Sequence, residues 1–192
     1  FVSMTEAGPE GHFHPPELEA EPQGVLTVGF GAASNVAELT ARFDGLRPTT
    51  ARAAQVSAGD GAAESATADT VSLTDLGGTS VLGAENPRVS VVTGSGVAGA
   101  GELQAYVQAV VDRSAWALRA DGDLNTTRYE GVLRAKKPVS LRGIGPSLSG
   151  VYYVEKVLHA FTAEGYTQRF TLRRNAFGLS GAEDFTGTGA GS

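Results

Sequence analysis

A glycine pattern typical of dinucleotide-binding loops occupies residues 94–99, with the sequence Gly-Ser-Gly-Val-Ala-Gly. It follows an apolar run at residues 89–92 and precedes a helical pattern, and in that position such a loop holds a pyrophosphate at a helix N-terminus. The complete unit also needs a second parallel strand that ends in an acidic residue about twenty residues further on. Asp121 and Asp123 lie near that distance, but they stand in a stretch that predicts a turn. The pattern therefore indicates a flexible joint, and we predict no nucleotide or other cofactor.

Two of the three histidines have a spacing that metal ligands can have. His12 and His14 are two residues apart, and alternate side chains of an extended chain point the same way. No third ligand stands nearby in the sequence, and the Pro15-Pro16 pair that follows favours an exposed arm. We therefore predict no metal site.

The remaining candidates for catalysis are one histidine and two serines. His159 stands in an apolar run, which is typical of a packed or edge position in a strand. Ser147 and Ser149 lie in Gly-Pro-Ser-Leu-Ser-Gly, which departs from the G-x-S-x-G pattern of hydrolases because residue 149 is serine. Neither a Ser/His/Asp arrangement nor a pair of carboxylates can be identified. We predict that the protein is not an enzyme and has no catalytic residue.

The composition is that of a globular protein, with 41% hydrophobic and 19% charged residues in a chain of 192. Cysteine is absent, which excludes disulfides, thiol nucleophiles and cysteine-ligated metals. No run of about 18 apolar residues occurs, so we expect no membrane-spanning helix. The 26 glycines raise the entropic cost of folding, and such chains often gain order by assembly with partners.

Charge is divided unevenly along the chain. Residues 128–174 contain nine Lys or Arg and three Glu, a net charge of +6, whereas the rest of the chain has a net charge of −12. A basic part beside an acidic part favours self-association as readily as nucleic-acid binding. Stacking aromatics are not interleaved with the cations, which disfavours nucleic acid as a partner. We predict interface positions among these cations, namely Arg142, Lys156, Arg169, Arg173 and Arg174.

The sequence divides into four segments. Residues 1–24 are rich in proline and glutamate and predict an exposed acidic arm or linker. Residues 178–192 are rich in Gly, Ser and Thr and predict a flexible tail. Between them, residues 25–83 predict a β-rich segment and residues 84–177 predict a second folded segment with the better-defined elements.

The elements of the two middle segments follow from hydrophobic periodicity. Apolar residues recur at helical spacing over 102–119, and Asp121-Gly122-Asp123 predicts the end of that helix. The predicted strands are 25–28, 36–43, 50–56, 88–92, 129–133, 139–141, 151–161 and 166–173, with a turn at 44–48, a long loop at 57–69 and a hairpin turn at 162–165. We predict an α+β fold, mainly β, with antiparallel strands of residues 126–175 curled into a small barrel and the helix packed against it.

Three stretches near the end of the chain resemble a known family. They are the strand and turn at 139–145, the run Leu-Ser-Gly-Val-Tyr-Tyr-Val-Glu-Lys-Val-Leu-His at 148–159, and Gly-Tyr-Thr-Gln-Arg-Phe-Thr-Leu at 165–172. They resemble the closing strands of phage late control D-type tail proteins, which are related to the baseplate hub of contractile phages and to the hub segment of type VI secretion spikes. The matching positions are Gly150, Tyr152, Val154, Val157, His159, Gly165, Tyr166, Phe170, Leu172, Arg174 and Asn175.

This resemblance, which covers residues 85–177 and is faint over 25–80, implies a structural function. The family forms homotrimeric rings of small β-barrels that join the tail tube to the membrane-piercing spike. It therefore implies the tail tube protein, the spike tip protein and other baseplate components as partners, in a virion or phage tail-like particle. It makes residues 25–83 part of a hub domain and residues 84–177 a hub β-barrel domain with a helix. The alternative is a stand-alone small-barrel module that binds a protein or a nucleic acid.

Overall fold

The computed structural model describes residues 2–5, 8–11, 14–57, 59–84, 86–93, 96–163 and 165–186. The described strands are β1 (Val2–Thr5), β2 (Gly8–Gly11), β3 (Val25–Thr27), β4 (Val36–Phe43), β5 (Thr49–Val56), β6 (Ala63–Ala68), β7 (Thr79–Ser80), β8 (Arg88–Val92), β9 (Leu118–Leu124), β10 (Pro138–Arg142), β11 (Gly150–Thr162), β12 (Gly165–Arg174) and β13 (Ala176–Phe177). The helices are α1 (Val81–Ala84), α2 (Ala100–Ala115) and α3 (Thr126–Tyr129). Strands predominate, which confirms the predicted α+β, mainly β class.

Six strands form one curled sheet in the order β3-β10-β11-β12-β9-β4. Neighbouring strands run antiparallel except β3 and β10, which are parallel. Alternate side chains of each strand point into the curl and build a hydrophobic core. Its largest buried side chains include Tyr152, Phe170, Leu141 and Leu172, and Tyr129 of α3 packs with them. The predicted hairpin of β11 and β12 is confirmed. The barrel predicted from residues 126–175 is a curled half-barrel, in which β10, β11 and β12 come from that range and β3, β4 and β9 do not.

Asn35 links the two edge strands of the curled sheet. Its side-chain oxygen accepts a hydrogen bond from the Thr27 amide at 2.7 Å, and its side-chain nitrogen donates to the Val25 carbonyl at 2.8 Å. On its other side, the Asn35 carbonyl accepts from the Asn125 amide at 2.8 Å. Because these bonds are buried, the unpaired backbone groups at this end of β3 find partners without a further strand.

Three further strands and the long helix form a second layered unit, which we call the helix-covered sheet. Its order is β6-β5-β8, with β5 antiparallel to β6 and parallel to β8. One face packs against α2, and small side chains on the strands let the helix lie close to the backbone. The residues buried between them are Ala51, Ala53, Ala66, Ala68, Leu103, Val107 and Val111.

The long helix differs from its prediction in its end and in its packing. It covers Ala100–Ala115 instead of 102–119, and Leu118 already begins β9. The Asp-Gly-Asp stretch at 121–123 is not a turn but the middle of β9, because strands pair with it on both sides. A Cβ at Gly122 would stand 2.7 Å from the Phe170 ring, too close for a contact, so only glycine leaves that ring its space. The helix packs mainly against β5 and β6, and Leu118 of β9 belongs to the same core.

Two other predicted elements were wrong. The loop predicted at 57–69 contains β6, which forms because Ala66 and Ala68 are buried beneath α2. The strand predicted at 129–133 is absent from this described region. Instead, α3 begins after Asn125, whose side chain accepts from the Arg128 amide at 3.2 Å as an N-cap. Tyr129, the last residue of that short helix, and Leu133, which follows it, both lie in the core of the curled sheet.

The predicted segments are interleaved in space. Strands of residues 25–83 and of residues 84–177 occur in both larger sheets. In the predicted arm, β1 pairs with β2, Leu18 is buried, and the Gln23 side chain accepts from the Arg134 amide at 2.7 Å. The segment boundaries at residues 24, 83 and 177 stay predictions. Within the described ranges, no helix has the length and apolar character needed to cross a membrane.

Candidate functional site

The outward side of four strands of the curled sheet carries most of its charged side chains, and we call it the charged face. Because side chains alternate along a strand, every second residue of β4, β9 and β12 points to this side. It continues onto β11 at the point where the register with β12 shifts by one residue. Its members are Glu38, Thr40, Arg42, Arg119, Asp121, Asp123, Glu155, Lys156, Arg169, Thr171 and Arg173.

Asp121 is the most highly connected group of the charged face. Its carboxylate accepts from Arg119 at 2.8 Å, from the Thr171 hydroxyl at 2.8 Å and from Arg42 at 3.3 Å. The hydrogen bond from Arg119 holds the pKa of Asp121 below its usual value, with further help from Thr171, although partial burial acts in the other direction. Three strands are thus joined through one carboxylate, which fixes their outward side chains relative to one another.

The predicted interface residues Arg169 and Arg173 both lie on the charged face and both have acidic partners in the same chain. Arg169 pairs with Asp123 at 2.7 Å, and its side chain is 70% exposed. Arg173 pairs with Glu155 at 2.7 Å, and Glu155 is the residue at which the register of β11 shifts. Lys156 is exposed beside them. The two arginines of β12 on this face are therefore paired with carboxylates of β9 and β11.

The structure places Arg142 away from the charged face, on β10. Its guanidinium donates to the Thr27 hydroxyl at 2.9 Å and to the Phe185 carbonyl at 2.8 Å, and it lies over the Phe30 ring at 5.1 Å. Arg142 is half-buried in these contacts. Within this chain it holds the segment that follows β13 against the curled sheet.

Arg174, the fifth predicted interface residue, is completely buried. Its guanidinium lies 5.3 Å from the Tyr152 ring centre, and burial lowers its pKa. It donates to the backbone carbonyls of Leu76, Leu148, Ser149 and Gly178. The neighbouring Asn175 side chain accepts from the Leu76 amide at 2.9 Å and donates to the Thr74 carbonyl at 3.0 Å. Arg174 offers no surface to a partner and serves to join three loops.

The end of the β11–β12 hairpin exposes an aromatic cluster that the sequence patterns did not indicate. The hairpin extends beyond the last residue of β9 that pairs with it. Phe161 is 80% exposed and stacks on Tyr166 with 4.5 Å between ring centres. His159, predicted as a packed or edge residue, is exposed here and its Nδ1 lies 2.7 Å from the Tyr166 hydroxyl. Leu158 is also exposed on this hairpin.

The glycine pattern at 94–99 does not stand in a dinucleotide-binding unit within the described part of the chain. Residues 94 and 95 lie outside it, but the strand before the helix, β8, pairs with β5, and the strand after it, β9, belongs to the other sheet. At the helix N-terminus, the Glu102 carboxylate accepts from the Ala98 amide at 2.9 Å. A carboxylate thus occupies the position where a phosphate would need donors.

The other chemical candidates are not brought together. His12 lies outside the described residues, and the described ranges contain no group of three or more His, Cys, Asp or Glu that could hold a metal ion. The Ser147 carbonyl accepts from the Gly178 amide, and Ser149 is buried next to Arg174. These two serines therefore belong to the loop that Arg174 organises.

Two solved structures with a similar arrangement are described as tail proteins, one of them from a prophage. The 43 kDa tail protein of prophage MuSo2 from Shewanella oneidensis is 14% identical, with a TM-score of 0.51 over 80% of this chain and 42% of that one. The chain therefore shares its fold with part of that tail protein. The tail protein from Neisseria meningitidis MC58 is also 14% identical, with a TM-score of 0.52 over 82% of this chain and 45% of that one.

The likeness to these two proteins is limited to the fold. The chain spans less than half the length of either solved tail protein. No protein-family model and no curated protein sequence matches it.

Proposed function

We propose that the chain is a structural component of a phage tail or of a related contractile injection machine. The observation that carries this proposal is the fold, which is shared with two tail proteins over about four fifths of the chain. In the machine, the chain forms a homotrimeric hub ring that connects the tail tube to the puncturing spike. Its partners are then the tail tube protein, the spike tip protein and other baseplate components, and its role is not enzymatic.

The surface of the protein supports an assembly function. Within the described residues, the helix-covered sheet has two edge strands, β6 and β8, and each pairs with one neighbour, β5. Edge strands are ready templates for pairing with another chain, and a ring of subunits removes such edges. The side of this sheet away from α2 exposes the apolar side chains of Val56, Val89 and Val91. Apolar contact and strand pairing would supply most of the association.

The charged face would set the register between subunits. Exposed ion pairs contribute about 0–1 kcal/mol each to stability, so their main effect at an interface is to align the partners and exclude wrong ones. Of the five predicted interface residues, Lys156, Arg169 and Arg173 stand on this face and remain the proposed interface positions. Arg142 and Arg174 are engaged within the chain.

Reversal of charge on this face tests the proposal. The double variant Arg169→Glu with Arg173→Glu should convert a trimer into lower-mass species in light scattering, because it places anions at two proposed interface positions. Each new glutamate also lies beside an acid of its own chain. The control is Arg134→Glu with Lys137→Glu, which makes the same change in net charge at positions off the charged face. Circular dichroism checks that both variants stay folded.

The number and position of copies in the native particle decide whether the chain forms a hub ring. Electron microscopy of the particle should show three copies of the chain in a ring between tube and spike. A single copy in the particle, or six symmetric copies, would contradict the hub ring. A folded monomer that never enters a particle would favour the stand-alone binding module instead.

A further inference from the structure

A cavity of about 510 Å³ lies outside the curled sheet, on the side of β10 that faces away from the core. Four parts of the chain enclose it: residues 18–25, residues 74–76, the outward side of β10 and β11, and residues 180–184. Its volume falls in the range of about 300–1,000 Å³ that is typical of ligand sites. None of the residues discussed for the proposed ring interface lines it.

The floor of the cavity is apolar except for one hydroxyl. Leu18, Val25 and Leu76 are buried there, and Val151 lies beside them. Ser140 pairs across the sheet with Val25 and Val151, so its side chain shares their side, away from the core. Ser140 is 1% exposed, and its hydroxyl has no hydrogen-bond partner. A buried hydroxyl without a partner is costly, which indicates that a bound group supplies the missing bond.

The rim of the cavity is acidic. Glu21, Asp75, Glu183 and Asp184 line it, and no Lys, Arg or His is found among the described residues that do so. Burial raises the pKa of Asp75 against the effect of a hydrogen bond from Ser80. Burial also acts on Glu183, but amides of its own loop outweigh it and keep the pKa of that carboxyl below its usual value. Asp75 thus lies on the exposed rim of the cavity, where a cation from outside the chain can reach its carboxylate.

We infer that this cavity binds an arginine or lysine side chain of a separate partner protein. The alkyl stem lies on Leu18, Val25 and Leu76, as long basic side chains commonly cover apolar surface. The charged end reaches Asp75 on the acidic rim. The Ser140 hydroxyl accepts a hydrogen bond either from this charged end or from the partner's backbone amide next to it. Arginine suits the site best, because its five donors in a planar fork can serve several separated acceptors at once.

The chemistry of the rim and of the chain itself narrows the occupant. Within the described ranges, no three acidic or histidine side chains are close enough together for a metal ion, so an extended organic cation fits better. The chain's own arginines on the charged face are paired with its own carboxylates. A separate protein is therefore the better source of the cation. The inference does not depend on the ring, and a monomeric protein could bind the same segment.

Binding of short peptides tests the inference with the full chain. The probe is acetyl-Gly-Leu-Arg-Gly-amide, and the matched probe replaces its Arg with Glu. In ¹H–¹⁵N spectra, the arginine peptide should give saturable shifts at the amides of Leu76, Ser140 and Val151. The glutamate peptide should give none. Asp75→Asn should weaken binding of the arginine peptide about tenfold.

Two further variants make the result specific. Asp69→Asn removes an exposed acid outside the cavity and should leave binding unchanged. Ser140→Leu places a large side chain on the floor and should abolish binding, with folding checked by the dispersion of the remaining signals. Equal binding of both peptides, or equal binding by Asp75→Asn, would overturn the inference. Shifts at the same amides on dilution of the protein alone would assign the cavity to a second copy and overturn the assignment to a separate partner.

Discussion

The curled sheet and the helix-covered sheet bury very different side chains. The curled sheet encloses Tyr129, Tyr152 and Phe170 from strands or a helix on several sides. In the helix-covered sheet, the strands contribute four alanines to the core, and the larger buried residues come from α2, from α1 and from Leu118 of β9. The outer face of that sheet is uncovered, with Val56, Val89 and Val91 exposed by 70%, 59% and 57%.

This difference separates a region whose own strands enclose its core from a region that leaves an apolar face exposed. Large buried side chains each contribute about 1.5–3 kcal/mol, so the curled sheet draws its stability from its own core. The exposed valines would each add a similar contribution only when another surface covers them. The curled sheet is therefore the scaffold of the molecule, and the helix-covered sheet is its better candidate for assembly.

Removal of the Phe170 ring from the core of the curled sheet should have the greatest effect. Phe170→Ala should lower the free energy of unfolding by about 3–5 kcal/mol, since it removes a buried ring and leaves a cavity in a core enclosed on several sides. Urea denaturation measures this change. Phe161→Ala is the matched control, because that ring is 80% exposed, and its effect should stay within about 0.5 kcal/mol. Similar losses in both variants would contradict the distinction between core and surface.

Arg174 tests whether buried polar bonds join the loops around the curled sheet. Arg174→Leu fills part of the space with an apolar side chain but leaves four backbone carbonyls without their donor. We expect a loss of about 2–4 kcal/mol in the free energy of unfolding. Hydrogen exchange should speed up at the Leu76 and Gly178 amides before it does so in β11. An unchanged exchange pattern would show that the loops hold without the guanidinium.

The charged face should matter little to the scaffold beneath it. Asp121→Asn should cost about 0–1 kcal/mol at neutral pH, as for other surface pairs. Because the pKa of Asp121 is below 3.8 in the folded protein, its contribution is present above pH 3.8 and is lost as the pH falls through the folded value. The variant should therefore lose less stability than the wild type on acidification below pH 3.8. Asp69→Asn gives the control, and an identical acid slope for Asp121→Asn and the wild type would refute this expectation.

The uncovered valines should have the smallest effect on folding and a larger one on assembly. Val89→Thr with Val91→Thr keeps the shape and the strand preference of both residues. The free energy of unfolding of the monomer should change by less than about 0.5 kcal/mol, while the mass distribution in light scattering shifts toward the monomer. Val107→Thr, at a buried position of α2, should cost about 1–3 kcal/mol, because it places a hydroxyl in the apolar contact between the helix and the sheet. Undiminished assembly of the double variant would remove this face from the proposed interface.

The curled sheet was the more predictable region because its strands carry strong local patterns. In β12, Phe170 and Leu172 alternate with Arg169 and Thr171, and the structure keeps that division between core and charged face. The strand β6 was missed because Ala66 and Ala68 have no strand preference of their own, and only the packing of α2 places them in a sheet. The end of α2 was misplaced because the pairing of β9 with two neighbours overrides the turn preference of Asp-Gly-Asp.

The candidate sites were predictable only where one strand contains them. Alternation placed Arg169 and Arg173 outward, but their pairing with Asp123 and Glu155 depends on register and on the shift in β11. Arg174 was assigned to a surface by its basic neighbours, whereas the same alternation, continued one residue further, puts it inside. The acidic cavity joins parts of the chain from residue 18 to residue 184, so no local pattern could indicate it.

The parallel pairing of β3 with β10 has a consequence for synthesis of the protein. Ser140 is the strand partner of Val25, so the early strand must wait until more than a hundred further residues have been made. At about 5–20 residues per second, that interval is on the order of ten seconds on the ribosome. During it, β3 remains without β10, its strand partner in the described sheet, and a chaperone that holds short apolar strands would act at this stage. Pulse-labelled nascent chains arrested before residue 138 should therefore be cut by protease near Val25, and chains released after residue 186 should resist.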